Sequence, residues 1–221
     1  MTHPLQLSGV GKTFARRERG VVENATLALA AGTCTAMMGE NGSGKTTLLR
    51  LACGLVSPDS GTVRVFGRDP VLDGAARARL AAVFDGARAL HGRLTPAENA
   101  VYFARVKGCN GGAALHRFGA LARRFQIGRF EHVPVRRLSR GTQHMFALAA
   151  ALATGAELWL FDEPTLGMDA AGLEIFHDIV RSHLAAGGAV LMATHDEVFA
   201  RRLGGIVRLT GAPQAALRLQ L

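Results

Sequence analysis

The sequence predicts an open α/β fold built on a largely parallel sheet. Short apolar runs at Thr33–Met38, Glu157–Phe161 and Ala189–Ala193 have the length and composition of buried strands. Each leads into residues able to do chemistry: Gly39, then Asp162-Glu163, then Thr194-His195-Asp196. Gly39 opens a glycine-rich turn that feeds a helix-forming run. Strands that end in functional residues and feed helices mark an open parallel sheet, whose sites lie at the carboxyl ends of its strands.

The elements follow in order. Leu5–Val10 and Ala25–Ala30 are expected strands, with the basic turn Arg16–Gly20 between them. After the buried strand Thr33–Met38, Gly44–Leu55 is expected to be a helix stopped near Gly54. The turn Ser57-Pro58-Asp59-Ser60-Gly61 then leads to a strand at Thr62–Phe66. From about Thr95 to Leu152 the chain is rich in Ala, Arg and Leu with helical periodicity, broken at Gly108–Gly112. There are no internal repeats and no low-complexity linker, and 221 residues suit one compact domain with an inserted lobe.

Composition narrows the class. With 48% hydrophobic and 19% charged residues the chain can build a core and is not of the disordered type. Cys34, Cys53 and Cys109 have no Cys-x-x-Cys spacing, which argues against a disulfide framework and a structural zinc site; Cys34 and Cys53 suit a core. Met1–Val10 carries His3 and Pro4 and lacks the pattern of a signal peptide. The most apolar stretch, Met145–Phe161, is interrupted by Thr154, Gly155 and Glu157 and falls short of a membrane span. The expectation is a soluble, cytoplasmic chain, with any membrane span supplied by another chain. The net charge of +9 is uneven: residues 85–150 hold eleven Lys and Arg against three acids, +8, and the remainder fifteen against fourteen, +1. A basic face of this kind suits nucleic acid, anionic lipid head groups or an acidic partner, or is simply a solvated surface.

Gly39-Glu40-Asn41-Gly42-Ser43-Gly44-Lys45-Thr46 matches the G-x-x-x-x-G-K-[ST] phosphate loop at every fixed position, between a strand and a helix. Its glycines let backbone N–H groups converge on phosphate oxygens, and the helix starting near Gly44, with Thr47 among the expected ATP-binding residues of its first turn, aims its positive dipole end at the same anion. Lys45 is expected to reach the β- and γ-phosphates of ATP, and the Thr46 hydroxyl to ligate Mg²⁺. Leu158-Trp159-Leu160-Phe161-Asp162-Glu163 is an apolar strand ending in two acids. Asp162 is expected to hold Mg²⁺ through its water shell and Glu163 to polarise the attacking water.

Together these residues resemble the ATP-binding cassette (ABC) ATPases. Leu138-Ser139-Arg140-Gly141-Thr142-Gln143 looks like that family's L-S-G-G-Q signature. Asp162-Glu163-Pro164-Thr165 followed by Leu166-Gly167-Met168-Asp169 resembles its Walker B and D-loop. His195 resembles its switch histidine, Phe14 the aromatic that stacks on adenine, and Leu94-Thr95-Pro96-Ala97-Glu98-Asn99 the segment after its Q-loop. The resemblance runs from about Leu5 to Leu209. It implies a P-loop NTPase core with a mixed or parallel sheet, an N-terminal antiparallel β-subdomain and an inserted helical subdomain. The expected single domain over 1–221 has a core lobe at 1–84 and 153–221 and a helical signature lobe at 85–152.

The resemblance further implies a head-to-tail dimer, of two copies or with a paired ABC subunit, in which ATP lies between one phosphate loop and the opposite Ser139-Arg140-Gly141. Glu163 would be the base and His195 would clamp the γ-phosphate. Three positions depart from the pattern: Asp85 stands at the Q-loop glutamine, with a possible contact to Mg²⁺; Arg140 and Thr142 replace signature Gly and Gln; and Met145 replaces a common arginine. The expected function is the nucleotide-binding subunit of a transporter, most similar to small exporter ATPases. It would sit at the cytoplasmic face of the inner membrane on a separate integral permease, with peripheral membrane contact and no nucleic acid partner. The alternative is a non-transport ABC ATPase in cofactor or cluster assembly. A GTPase is disfavoured because Asn-Lys-x-Asp is absent.

Overall fold

The computed structural model describes residues 3–14, 21–84 and 89–209. The first strands are β1 (Leu5–Lys12), β2 (Val22–Leu29) and β3 (Cys34–Gly39). They are followed by α1 (Lys45–Ala52), β4 (Ser60–Val65), the short α2 (Gly74–Ala78) and β5 (Leu80–Val83). Three helices come next, α3 (Pro96–Val106), α4 (Gly111–Arg124) and α5 (Arg140–Ala153), with 3-10 turns at Gly128–Phe130 and Val135–Arg137 between the last two. The chain then returns to the sheet through β6 (Leu158–Asp162), α6 (Ala170–Ala185), β7 (Ala189–Ala193), α7 (Glu197–Leu203) and β8 (Gly205–Leu209).

Two sheets form. β2-β1-β4 is antiparallel, and β5-β6-β7-β3-β8 is parallel at every pairing. The α/β class and the N-terminal antiparallel unit therefore hold, and the larger sheet is parallel rather than mixed. Side chains alternate across it with the period of two that a strand imposes. Leu158, Leu160, Leu191 and Met37 face the core shared with the antiparallel sheet and α1. Trp159, Phe161, Val190 and Met192 face a second core shared with α5, α6 and α7. Burial on both faces is why these strands are almost continuously apolar.

The α5 helix explains the most apolar stretch of the sequence. It is buried nearly all round, from Phe146 to Ala153, and packs against α3 and α4. Among the described residues no helix is long and apolar enough to cross a membrane.

Several boundaries differ from expectation. The first helix ends at Ala52, because Gly54 adopts φ +75° and turns the chain against Pro70, whose oxygen would lie 2.4 Å from a Cβ there. The expected break at Gly108–Gly112 is shorter: Asn110 caps α4 by accepting from the Ala113 amide at 3.0 Å, so Gly111 and Gly112 are already helical. Lys107, counted in the basic face, is turned inward, and its ammonium donates to the Leu80 carbonyl. Burial pushes its pKa down from the usual lysine value. Asp85, Arg88 and the turn Arg16–Gly20 lie outside the described residues.

Candidate functional site at the carboxyl edge of the parallel sheet

The sheet order places β7 between β6 and β3, so the segments leaving these three strands are neighbours. The loop after β3 is shaped by two glycines. Gly39, at φ +154°, pairs with Leu209 so closely that a Cβ would lie 2.4 Å from the Leu209 oxygen. Gly44, at φ +98°, caps α1, and a Cβ there would lie 2.6 Å from the Val21 oxygen. A side chain at either position would push the loop off its scaffold.

Within the loop the Lys45 side chain is buried, and its ammonium donates to the Gly39 and Glu40 carbonyls at 2.6 and 3.1 Å. Asn41 and Gly42 stand exposed at the tip, and Thr46 and Thr47 are half-buried in the first turn of α1. The Ser43 hydroxyl is buried with no hydrogen-bond partner. A buried hydroxyl without a partner at the head of a helix, where the first-turn amides have no intrahelical acceptor, fits an anion.

The carboxylates meet this loop. Thr46 Oγ1 donates to Asp162 Oδ2 at 2.7 Å, joining α1 to the end of β6. The pair offers the oxygen donors that a hard divalent cation takes at a phosphate site. Glu163, the next residue, has φ +49°, a conformation rare for residues bearing a Cβ. Its amide donates to the Ala193 carbonyl at 2.8 Å, and its Oε2 accepts from the His195 amide at 3.3 Å. The His195 Nε2 lies 3.4 Å from its Oε1. Burial pushes the Glu163 carboxyl above the usual range; His195 pulls it back in part, and Asp162 adds to the rise.

Ser139 caps α5, accepting from the Thr142 amide at 3.2 Å, and its Oγ lies 2.8 Å from Thr142 Oγ1. Thr142 thus holds the signature serine's side chain. Arg140 is exposed on the first turn. Gly141 packs against Gly167, whose oxygen would lie 3.3 Å from a Cβ at Gly141. Among the described residues no hydrogen bond or ion pair joins Ser139, Arg140 or Gly141 to the phosphate loop of the same chain. Phe14 is exposed just beyond β1, with the Lys12 ammonium 5.7 Å from its ring centroid. Asp59 fixes that strand end by accepting from Lys12 at 2.6 Å and from the Thr13 amide at 2.7 Å.

Two contacts were not foreseen in the sequence. Gln143 anchors the start of α5 by donating to the Val135 and Leu138 carbonyls. His144, also on α5, reaches the Pro164 carbonyl at 2.9 Å. A polar pair at the head of an apolar helix was the available signal.

The phosphate loop after β3 and the paired acids after β6, with His195 leaving the strand between them, are the site of an ATP-hydrolysing cassette. The chain belongs to the ABC transporter family, whose model matches residues 22–166. Within that family it is 39% identical over 197 residues to the cytochrome c biogenesis ATP-binding export protein CcmA of Cupriavidus necator, covering 86% of this chain and 82% of the relative. It is 31% identical to the ABC transporter ATP-binding protein NatA of Bacillus subtilis, covering 86% and 79%. In structure it resembles the dimeric cassette MJ0796 in a post-hydrolysis state bound to ADP and Pi. The TM-score is 0.84 with 27% identity, over 94% of each chain.

Proposed function

We infer that this chain is the ATPase subunit of a bacterial exporter serving cytochrome c biogenesis, working as a head-to-tail dimer on a separate membrane permease. The observation that carries the ATPase half is the junction of Thr46 with Asp162 at 2.7 Å beside the Glu163–His195 pair at 3.4 Å. The similarity to an export protein named for cytochrome c biogenesis supports the transport half and favours it over a purely assembly role.

In this reading the amides of the phosphate loop, the Ser43 hydroxyl and Lys45 bind the phosphates of ATP, and Phe14 stacks on the adenine. Thr46 and Asp162 would hold Mg²⁺, which neutralises charge on the phosphate oxygens. Glu163 orients the attacking water and accepts its proton at a carboxylate oxygen. His195, held against Glu163, contacts the γ-phosphate. The Ser139 hydroxyl and the amides of Arg140 and Gly141 complete the site of the opposite subunit. Core residues 1–84 and 153–221 and helical residues 85–152 act as the two lobes that close on nucleotide.

The permease docks on the helical lobe, at a groove of about 750 Å³ whose lining includes Ala97, Val101, Tyr102, Val106 and Leu115, with Arg105 beside them. Arg93 and Arg105, exposed on this lobe, would face the anionic inner leaflet; Lys107 would not, since its ammonium is bonded inward. The test is co-purification of the tagged chain from membranes. An integral membrane protein should accompany it at stoichiometric level, and recovery of the chain without any membrane protein would overturn the transport reading.

A further inference from the structure

One helix presents two faces to two different sites. The first turn of α5 carries Ser139, Arg140 and Gly141. About one turn on, the same helix sends the side chain of His144 to the Pro164 carbonyl, 2.9 Å away. A carbonyl only accepts, so His144 Nε2 carries the hydrogen of this bond. His144 is 5% exposed and Pro164 is buried, so the bond is shielded from water.

Pro164 directly follows Glu163, whose backbone sits at φ +49° and must be held there by its surroundings. The holding bonds come from separate elements. The Glu163 amide is tied to Ala193 at the end of β7, its carbonyl accepts from the Leu166 amide at 3.2 Å, and its carboxylate accepts from the His195 amide. The bond from α5 is the one made by His144. A second contact lies about one turn earlier, where Gly141 and Gly167 are in van der Waals range: a Cβ on Gly167 would lie 3.5 Å from the Gly141 Cα. The segment after Glu163 therefore meets the signature helix at two points, by a hydrogen bond at Pro164 and by van der Waals contact at Gly167.

We propose that His144 is a positioning residue for Glu163, and that it couples engagement of this chain's signature at the opposite nucleotide to the placement of this chain's own base. This rests on the reading of Glu163 as base and of the dimer as head to tail. His144 touches neither nucleotide nor water in this account. Its loss would leave the Pro164 carbonyl unpaired and free the base to wander, and misplacement by about 1 Å is enough to cost a large factor in rate.

The test compares His144→Leu, which keeps bulk and removes the donor, with His144→Gln, whose amide can donate to the same carbonyl. Steady-state ATP hydrolysis by the full chain is measured against ATP concentration. His144→Leu should lower kcat about tenfold, with KM for ATP within about twofold and the Hill coefficient reduced towards one. His144→Gln should restore kcat to within about threefold of wild type. Unchanged kcat in His144→Leu, or a loss that His144→Gln fails to recover while melting normally, would overturn the proposal. If His144→Leu does not fold, His144→Gln decides alone: near-wild-type turnover supports the donor role, and a fall beyond about tenfold refutes it. Glu163→Gln in parallel separates the two layers, because a Glu163→Gln variant that still turns over removes the base assignment itself, whereas a dead Glu163→Gln beside an unaffected His144→Leu removes only the coupling.

Discussion

Burial raises the Glu163 carboxyl above its ordinary value of 4.5, and the His195 charge only partly opposes this. The base role proposed for Glu163 requires the ionised carboxylate, so hydrolysis is expected to fall as pH drops through that raised value, at a higher pH than an exposed glutamate would show. Stability moves the other way. The folded state takes the proton before the unfolded chain does, so the cost of burying the charge is present at neutral pH and is relieved as pH falls below the raised value. Glu163→Gln is expected to melt at or above the wild-type temperature at neutral pH, with the advantage shrinking in acid; a variant that melts lower at neutral pH would contradict this. Lys45 makes a second residue-scale case. Removing a charged hydrogen-bonding group costs about 1.5–3 kcal/mol, so Lys45→Ala should weaken ATP binding by roughly ten- to a hundredfold. Nucleotide titration by calorimetry checks it, and unchanged affinity would refute the role of the loop. These residues were legible in the sequence because phosphate chemistry fixes residue type at fixed spacing. His144 was not, since the pair Gln143-His144 at the head of an apolar helix does not reveal the carbonyl that His144 bonds.

At the scale of elements, strands β3, β6 and β7 could be found because burial on both faces makes them apolar runs. Leu80–Val83 is four residues with two alanines, and β8 carries Arg208, so neither declares itself as a strand; each is defined by pairing to a long-range neighbour. The α3 start was clearer, and the structure supplies a full capping box. Thr95 accepts from the Glu98 amide at 3.2 Å, and Glu98 accepts from the Thr95 amide at 2.8 Å. Thr95→Ala should cost about 1 kcal/mol, lowering Tm by about 2–4 °C. A thermal melt showing no change would place the helix's stability elsewhere. His183 on α6 stacks on Trp159 with ring centroids 3.5 Å apart, and burial lowers its pKa. The unfolded chain protonates first, so stability is fully present above the ordinary histidine value near about 6.5 and is lost as pH falls from there towards the lowered folded value. Urea titrations over this range should show the slope in wild type and a flatter one in His183→Gln; equal slopes would show that His183 is not its source.

At the scale of the molecule, the charge asymmetry and the site's incompleteness point outward. Ser139, Arg140 and Gly141 have no bond to their own phosphate loop among the described residues, although α5 presents them as a helix N-terminus suited to phosphate. The proposed head-to-tail dimer would place them at a second phosphate loop, and the structure is similar to that of a dimeric cassette bound to ADP and Pi. Which basic residues face outward was not legible in the sequence: Lys107 bonds inward to Leu80, a fact of packing that composition does not carry. Exposed Arg93 and Arg105 replaced by Gln should leave hydrolysis by the isolated chain unchanged. They should also weaken its binding to permease-containing membranes, with less dependence on salt, because each basic residue near an anionic leaflet contributes about 1 kcal/mol. Equal binding at low and high salt would make this charge a solvated surface only.

The central claim is that Glu163 is the base of a site completed by a second cassette. Size-exclusion chromatography of Glu163→Gln with ATP, with nucleotide content measured in each peak, tests it most directly. The account predicts a dimer carrying unhydrolysed ATP and no steady-state turnover. A monomer at saturating ATP, or hydrolysis close to the wild-type rate, would contradict it.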